Sequence, residues 1–186
     1  MSVVHLIDTF TEWAKANICD HVKLKQPPAD LKAPTAAGYD YKLVNPAAVP
    51  WYIPTAERQP PGSPPAFPAL CVSIAGGEDS MASRERTAEV VFSLATWDTG
   101  VHGHGTFERN ADGWRDAWNF LDVALRAIES NTHIGGYTID LKSPIKFGPL
   151  PEQESIPTLY PTWFAWISFH VTCPLVRMNE ELQNFL

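Results

Sequence analysis

The chain has 186 residues, of which 45% are hydrophobic, and its 14 basic and 21 acidic side chains give a formal net charge of −7. A chain of this length can bury roughly 70% of its unfolded surface, so we exclude a wholly disordered protein and predict a single domain over residues 1–186. No segment approaches the ~18 consecutive apolar residues of a membrane span, and the amino terminus lacks a basic start. We therefore expect a cytosolic protein without a membrane partner.

The charge is distributed unevenly along the chain. Residues 1–66 carry six acidic and six basic side chains, whereas residues 67–186 carry fifteen acidic and eight basic ones. A chain with this balance has no overall electrostatic reason to bind phosphate, so sequence-specific binding of nucleic acid is not expected.

The first third of the chain combines a helical pattern with a proline-rich segment. Within an amino-terminal unit of residues 1–25, an amphipathic helix is predicted over residues 2–19, because apolar side chains recur at helical spacing: Val3, Val4, Ile7, Phe10, Ala14 and Ile18. Eleven of the seventeen prolines follow between Pro27 and Pro68, a density that disfavours a helix or a central strand. Residues 27–66 are therefore predicted to form a long arm, with one short edge strand in YDYKLV.

The arm contains aromatic residues that have no local core. A proline-stiffened segment loses less entropy when it docks, so we expect it to lie on its own domain or, preferably, on a neighbouring subunit. Trp51, Tyr52 and Ile53 are the predicted buried anchors of that contact.

The core of the domain is predicted over residues 67–176, with a carboxy-terminal tail over residues 177–186. Residues 68–75 and 84–97 read as two strands of a hairpin. A helix is predicted from the N-cap Asp112 to a point before Gly135, with its sheet-facing residues at steps of three and four: Trp114, Ala117, Trp118, Leu121, Ala124, Leu125 and Ile128.

Three more strands are predicted after this helix, at residues 137–141, 145–147 and 163–173, with Trp163 or Trp166 facing the helix. This order of elements predicts an α+β fold: a mostly antiparallel β-sheet with two helices packed on one face and a long proline-rich arm.

A glycine-rich loop predicted over residues 98–111 contains His102 and His104 between Asp98 and Glu108. Two imidazoles two residues apart can contribute to a transition-metal site, because an extended backbone places both on one side. A site needs three or four protein ligands, and no HExxH or CxxC motif supplies the others. We expect solvated histidines, no bound metal and no cofactor, with a metal-dependent hydrolase as the less favoured alternative.

The GGEDS segment, residues 76–80, could hold Mg²⁺ or Ca²⁺ and could equally form the turn of the hairpin. We favour the turn. Its charged neighbours suggest a contact between subunits, in which Arg84 or Arg86 of one copy meets Glu78 or Asp79 of the next. These four residues complete the predicted oligomer interface with the aromatic anchors of the arm.

No recognised catalytic motif is present in the sequence. Ser168 and His170 should share one face of the last strand near Cys173, but no third group is in sight to orient the imidazole, so a partly buried, hydrogen-bonded histidine is favoured. His133 is expected to interact with the carboxy-terminal dipole of the second helix. Three cysteines in apolar segments, Cys19, Cys71 and Cys173, are interpreted as reduced core residues. We predict that the protein is not an enzyme.

Four motifs follow one another over residues 66–176: the acidic GGEDS turn, the helix DGWRDAWNFLDVALRAI, an IGG before a short strand, and LYPTWFAWISFHVTCP. This series resembles tail proteins of phages and prophages with long, noncontractile tails. In that family a glycine–tryptophan helix start, here Gly113 and Trp114 before Arg115 and Asp116, and a YPxWF strand recur around a small α+β domain. Here the strand motif comprises Tyr160, Pro161, Trp163 and Phe164.

The resemblance implies a tail terminator or tail-completion protein, a structural subunit of the virion tail that is assembled in the host cytoplasm. Such subunits form a homo-oligomeric ring, often a hexamer, that caps the tail tube and joins it to the head connector. The implied partners are further copies of the chain, the tail tube protein and the head–tail connector protein. DNA would pass through the ring without specific binding, as the acidic charge of residues 67–186 would allow. The alternative within this class is another head–tail joining protein or a baseplate adaptor, since the arm is longer and richer in proline than the family pattern.

Overall fold

The structure is a computed structural model, and it describes residues 2–28, 41–53, 66–99, 102–103, 106–107, 113–149 and 161–174. Two helices, α1 (Val3–Asn17) and α2 (Gly113–Ser130), pack on one face of a seven-stranded, mostly antiparallel sheet. The predicted α+β fold is therefore confirmed. Neither helix in this described part of the chain is long and apolar enough to cross a membrane.

Eleven strands lie in the described ranges. They are β1 (Leu24–Gln26), β2 (Lys42–Val44), β3 (Ala47–Pro50), β4 (Ala69–Ser80), β5 (Glu85–Trp97), β6 (His102–Gly103), β7 (Thr106–Phe107), β8 (His133–Ile134), β9 (Tyr137–Ile139), β10 (Lys146–Pro149) and β11 (Thr162–Pro174). The large sheet has the order β3-β4-β5-β11-β9-β8, with β10 also paired to β11. Strands β3 and β4 run parallel, and the other pairs of this sheet are antiparallel.

The centre of the sheet is the antiparallel pair β5 and β11, in register over the whole of both strands. Because side chains alternate between faces, this register brings the apolar residues of both strands to the helix side. Phe92 of β5 and Phe169 of β11 meet there edge to face at 5.2 Å between ring centroids, and Phe10 of α1 lies 5.8 Å from Phe169. These three rings, each 1% exposed or less, form the middle of the core.

Helix α2 is confirmed, and four of its predicted sheet-facing residues are buried as expected: Ala117, Leu121, Ala124 and Ile128. The other three are not: Trp114 is exposed, and Trp118 and Leu125 are half-buried. The buried residues are Gly113, Ala117, Phe120, Leu121, Ala124 and Ile128. Trp114 is 44% exposed and lies against the guanidinium of Arg115, so its prediction as a core residue is wrong. Gly113 takes the inward position, which only a residue without a side chain can occupy there. Trp118 is half-buried, packs against the rim of the core and meets Phe147 edge to face at 6.3 Å between ring centroids.

Helix α1 is also confirmed, with a different apolar face at its start. Ser2 caps it by accepting a hydrogen bond from the His5 backbone N–H at 3.1 Å, and the buried residues are Leu6, Phe10 and Ala14. Val3 and Val4 are 51% and 67% exposed, so their predicted place in the core is wrong. The helix covers the sheet only from its second turn onward.

Parts of the predicted arm form strands. Strand β2 pairs with β1, in agreement with the end of the strand predicted in YDYKLV, and β3 adds a parallel edge strand beside β4. The described part of the arm therefore docks on its own domain. The remaining stretches, residues 29–40 and 54–65, lie outside the described residues.

Three smaller predictions concern the segments around α2. His133 lies in β8, three residues after α2 ends at Ser130, and its predicted interaction with the helix dipole stays a prediction. Strand β9 ends at Ile139 and leaves Leu141 77% exposed, whereas the predicted strand continued to that residue. The predicted loop after β5 contains the short antiparallel pair β6 and β7. All three cysteines are buried and free, as expected.

Candidate assembly edge

The hairpin of β4 and β5 extends beyond the part of the sheet that the helices cover. Residues 75–85 are exposed throughout. The predicted turn at residues 76–80 is wrong, because GGEDS continues β4 in register with β5 and the turn falls at residues 81–84. Arg84, at φ 56°, supplies the left-handed residue that closes this turn. The sequence suggested an earlier turn because glycine and aspartate are common in turns, but here these residues form part of strand β4.

The two glycines of this strand have different surroundings. A Cβ on Gly77 would lie 2.6 Å from the Thr87 carbonyl oxygen, so only glycine fits at that close approach of the strands. Gly76 faces open space. The pairing shifts by one residue between Ile74 and Gly76, a β-bulge that increases the local twist of the hairpin.

One edge of β4 is open over most of its length. Strand β3 pairs only with residues 69–72 of β4, and beyond this point no described strand lies on that side of residues 73–80. An open edge presents unpaired backbone donors and acceptors, which can pair with a strand of another molecule. We call this open stretch, together with Trp51 and Tyr52 at its inner end, the assembly edge.

Trp51 and Tyr52 are held at the point where β3 leaves the sheet. The Trp51 backbone N–H donates to the Val72 carbonyl at 2.8 Å, and its φ of 70° turns the chain away from β4. Both side chains are 62% exposed, while Ile53 is half-buried. In a single chain the two aromatic residues therefore do not act as buried anchors; their burial against another subunit stays a prediction.

The outer end of the edge carries the charged residues of the predicted interface. Arg86 donates to Asp79 within the same chain, with Nη2 and Nε at 2.6 and 3.2 Å from one carboxylate oxygen, and this contact raises the pKa of Arg86. Since the two residues are 31% and 43% exposed, the pair contributes little to stability. The structure thus places Asp79 and Arg86 together inside one subunit, where the sequence suggested a contact between subunits.

The seven predicted interface residues form two groups and not one patch. Val72, which holds Trp51, and Asp79 are seven residues apart on β4, which corresponds to roughly 23 Å at about 3.3 Å per residue. Both groups nevertheless border the same open edge, one at each end. The adjacent acids Glu78 and Asp79 point to opposite faces of the sheet.

Glu78 borders an acidic groove of about 360 Å³ on the face that is turned away from the helices. Glu89 and His170 are direct cross-strand partners there, and Asp140 lies beside them. Hydrogen bonds from Ser143 Oγ at 2.6 Å and from the Lys142 backbone N–H at 2.9 Å lower the pKa of Asp140. Three carboxylates, and neither lysine nor arginine, are among the described residues that line the groove.

The sequence did not reveal this groove. Alternation predicts that Glu89 and His170 point away from the core, but only the register of β5 against β11 shows that they face each other. His170 is half-buried, as expected, but its Nδ1 atom is buried without a hydrogen-bond partner among the described residues. Ser168 lies on the same face, as predicted, and is 4% exposed.

The two motifs of the family resemblance contact each other. A Cβ on Gly113, the first residue of α2, would lie 2.1 Å from Nε1 of Trp163 on β11. That indole donates to the Asp98 carbonyl at 3.1 Å, and the Asp98 carboxylate accepts from Lys25 Nζ at 2.6 Å. Asp116 lies near this pair, and burial raises its pKa against the opposing charge of Lys25. The motifs therefore fix the start of α2 against the end of the sheet.

The predicted metal hypothesis concerns the histidine loop, of which the structure describes only a part. Among the described residues there is no group of three or more histidine, cysteine, aspartate or glutamate side chains that could hold a metal ion. His104 and the side chain of His102 lie outside the described part, so the prediction for that loop stays untested.

Comparisons with known proteins add no identification. No protein-family model matches the chain, and no curated protein matches it.

Proposed function

We propose that the protein is a tail terminator or tail-completion subunit of a long-tailed phage, which assembles into a ring at the end of the tail tube. The proposal rests on the motif resemblance, and one structural observation carries it furthest: the open assembly edge of β4. A subunit with a long exposed hairpin and an open strand edge has the features of a protein that acts by self-association.

The position of the aromatic pair supports this proposal. Tryptophan and tyrosine are enriched among the residues that contribute most to protein interfaces. Here Trp51 and Tyr52 stand side by side, mostly exposed, at the inner end of an unpaired strand edge. A neighbouring subunit that pairs with residues 73–80 would cover both rings, so that backbone pairing and aromatic burial would act together.

We also propose that DNA passes through this ring without specific binding, and the acidic groove supports this. A surface with Glu78, Glu89 and Asp140 repels phosphate, so a ring that turns this face inward would let the duplex slide. A basic surface would retain DNA through release of counterions. In this proposal the groove faces the lumen and the assembly edge faces the next subunit.

The experiment is to change Trp51 and Tyr52 together to alanine and to measure self-association by sedimentation velocity over a range of concentrations. Removing two exposed interface aromatics should cost about 2 kcal/mol or more, which is a roughly thirty-fold shift in the association midpoint. The circular dichroism spectrum should stay unchanged, because both side chains are exposed in one chain.

The matched control is Val4→Ala, which removes a side chain of similar exposure (67%) from α1, away from the edge. It should associate as the wild type does. If the double variant also associates as the wild type does, the assembly edge is not the subunit contact.

A further inference from the structure

A pocket of about 320 Å³ lies on the helix side of the sheet, where the β4–β5 hairpin extends beyond the amino-terminal end of α1. Val3 and Leu6 form its wall on the helix, and Ile74, Ala88 and Cys173 form its floor on three neighbouring strands. The pocket continues the apolar core beyond the point where α1 stops covering it, and the charged residues Glu78, Asp79 and Arg86 of the hairpin also line it. Its volume is at the lower end of the range of ligand pockets.

Tyr137 gives this pocket a polar atom without a partner. The side chain lines the pocket and is only 1% exposed, and its hydroxyl has no hydrogen-bond partner among the described residues. An unpaired buried hydroxyl costs roughly 1–3 kcal/mol, so an occupant that accepts this hydrogen bond would recover free energy as well as bury apolar surface.

The chain itself supplies a segment at the rim of the pocket. Strand β11 ends at Pro174, opposite Glu85, and the preceding residue, Cys173, is part of the pocket floor. Twelve residues follow in the sequence, and their apolar side chains include Leu175, Met178, Leu182 and Phe185. Steps of three, four and three residues place these side chains on one face of a helix, which at this length would be roughly 18 Å long.

We propose that residues 175–186 dock in this pocket of their own chain. Apolar side chains of the segment would cover Val3, Ile74 and Cys173, and an acceptor of the segment would receive the Tyr137 hydroxyl. The charged residues Arg177, Glu180 and Glu181 fall between the apolar positions and would remain in solvent. The chain's own segment is favoured over that of a second copy, because attachment at Pro174 gives it a high effective concentration at the pocket.

Disulfide trapping in the full chain tests this inference. In the variant Val3→Cys/Leu182→Cys, mild oxidation of a dilute sample should join position 182 to position 3 within one chain. Only this bond is compared with the bond between positions 129 and 182 of the control, because a bond from position 182 to Cys173 can form in both variants. The matched control is Glu129→Cys/Leu182→Cys, since Glu129 is exposed on α2 and does not line the pocket. Peptide mapping by mass spectrometry and a non-reducing gel distinguish bonds within a chain from bonds between chains.

A crosslink within the chain that forms at least ten-fold faster in the Val3 pair than in the control supports the proposal. Crosslinked dimers would assign the pocket to the segment of a second copy, and equal rates in the two pairs would leave the segment undocked; either result overturns it. As an independent measurement, Leu182→Ser/Phe185→Ser should make Cys173 more reactive towards N-ethylmaleimide, whereas Gln183→Ser/Asn184→Ser should not. Cys19, which is 0% exposed, serves as the internal reference.

Discussion

The contact between Gly113 and Trp163 leads to a prediction whose sign is opposite to that of helix propensity. Alanine is a better helix former than glycine by about 1 kcal/mol in a helix interior and by less at a first residue such as Gly113, so propensity alone predicts that Gly113→Ala stabilises the protein. The structure predicts the reverse. An alanine Cβ at this position would lie 2.1 Å from Nε1 and 2.7 Å from Cδ1 of the Trp163 indole, which no real contact permits.

The magnitude follows from what Trp163 must give up when it moves. Its hydrogen bond to the Asp98 carbonyl, 3.1 Å long, contributes about 1 kcal/mol, and the displacement of a packed side chain costs roughly 1–3 kcal/mol. After subtraction of the gain in helix propensity, the free energy of unfolding should fall by about 1–3 kcal/mol.

The assay is urea unfolding at equilibrium, with Gly76→Ala as the matched control. A Cβ at Gly76 meets no atom within 4 Å, so this change should alter the stability by no more than about 0.5 kcal/mol. In a Trp163→Phe background the effect of Gly113→Ala should become smaller, because the two residues are coupled. A Gly113→Ala protein that is as stable as the wild type, or more so, would refute the reasoning.

Two further predictions concern the core. Leu121 is 1% exposed on the buried face of α2, so Leu121→Ala should lower the free energy of unfolding by about 2–5 kcal/mol through the cavity it leaves. Arg126→Ala, on the exposed face, should change it little. Equal urea midpoints for the two variants would show that the faces are wrongly assigned. Burial, with a smaller contribution from the charge of Asp20, raises the pKa of Cys19 to about 12, from the value of 9.0 expected when unfolded. Because the folded state binds this proton more tightly, the stability that the thiol contributes is complete below pH 9 and is lost as the pH rises towards 12, by up to about 1.4 kcal/mol per pH unit. Cys19→Ala should therefore reduce the loss of stability at alkaline pH, measured by urea unfolding over a range of pH values.

The sequence predicts elements with long, regular patterns well. The alternation in β5 and β11 and the helical spacing in α2 determine which sides face the core, and the structure confirms both strands and the helix. At the start of α2 the prediction is wrong for Trp114, because it is the more hydrophobic of two neighbouring residues while the inward position has room only for Gly113. Composition could not reveal this steric limit, since it is set by Trp163 on a distant strand.

The candidate site depends on pairing that no local pattern contains. GGEDS has the composition of a turn, yet the long pairing of β4 with β5 continues through it and moves the turn to residues 81–84. The open edge of β4 exists because β3 is short, and the acidic groove exists because Glu89 is in register with His170. Strand order and register are tertiary properties. For this reason the sequence could identify the residues at both ends of the assembly edge but could not predict where they lie relative to each other.

The most direct test of the proposed function is the mass of the assembly that the purified wild-type protein forms. Native mass spectrometry of the concentrated protein, with negative-stain images of the same sample, measures both the copy number and the closure of the assembly. The account predicts a closed ring, expected at six times the 20.7 kDa of one chain, with an open centre wide enough for duplex DNA. A protein that remains monomeric at every concentration, and also in the presence of tail tubes, would contradict it.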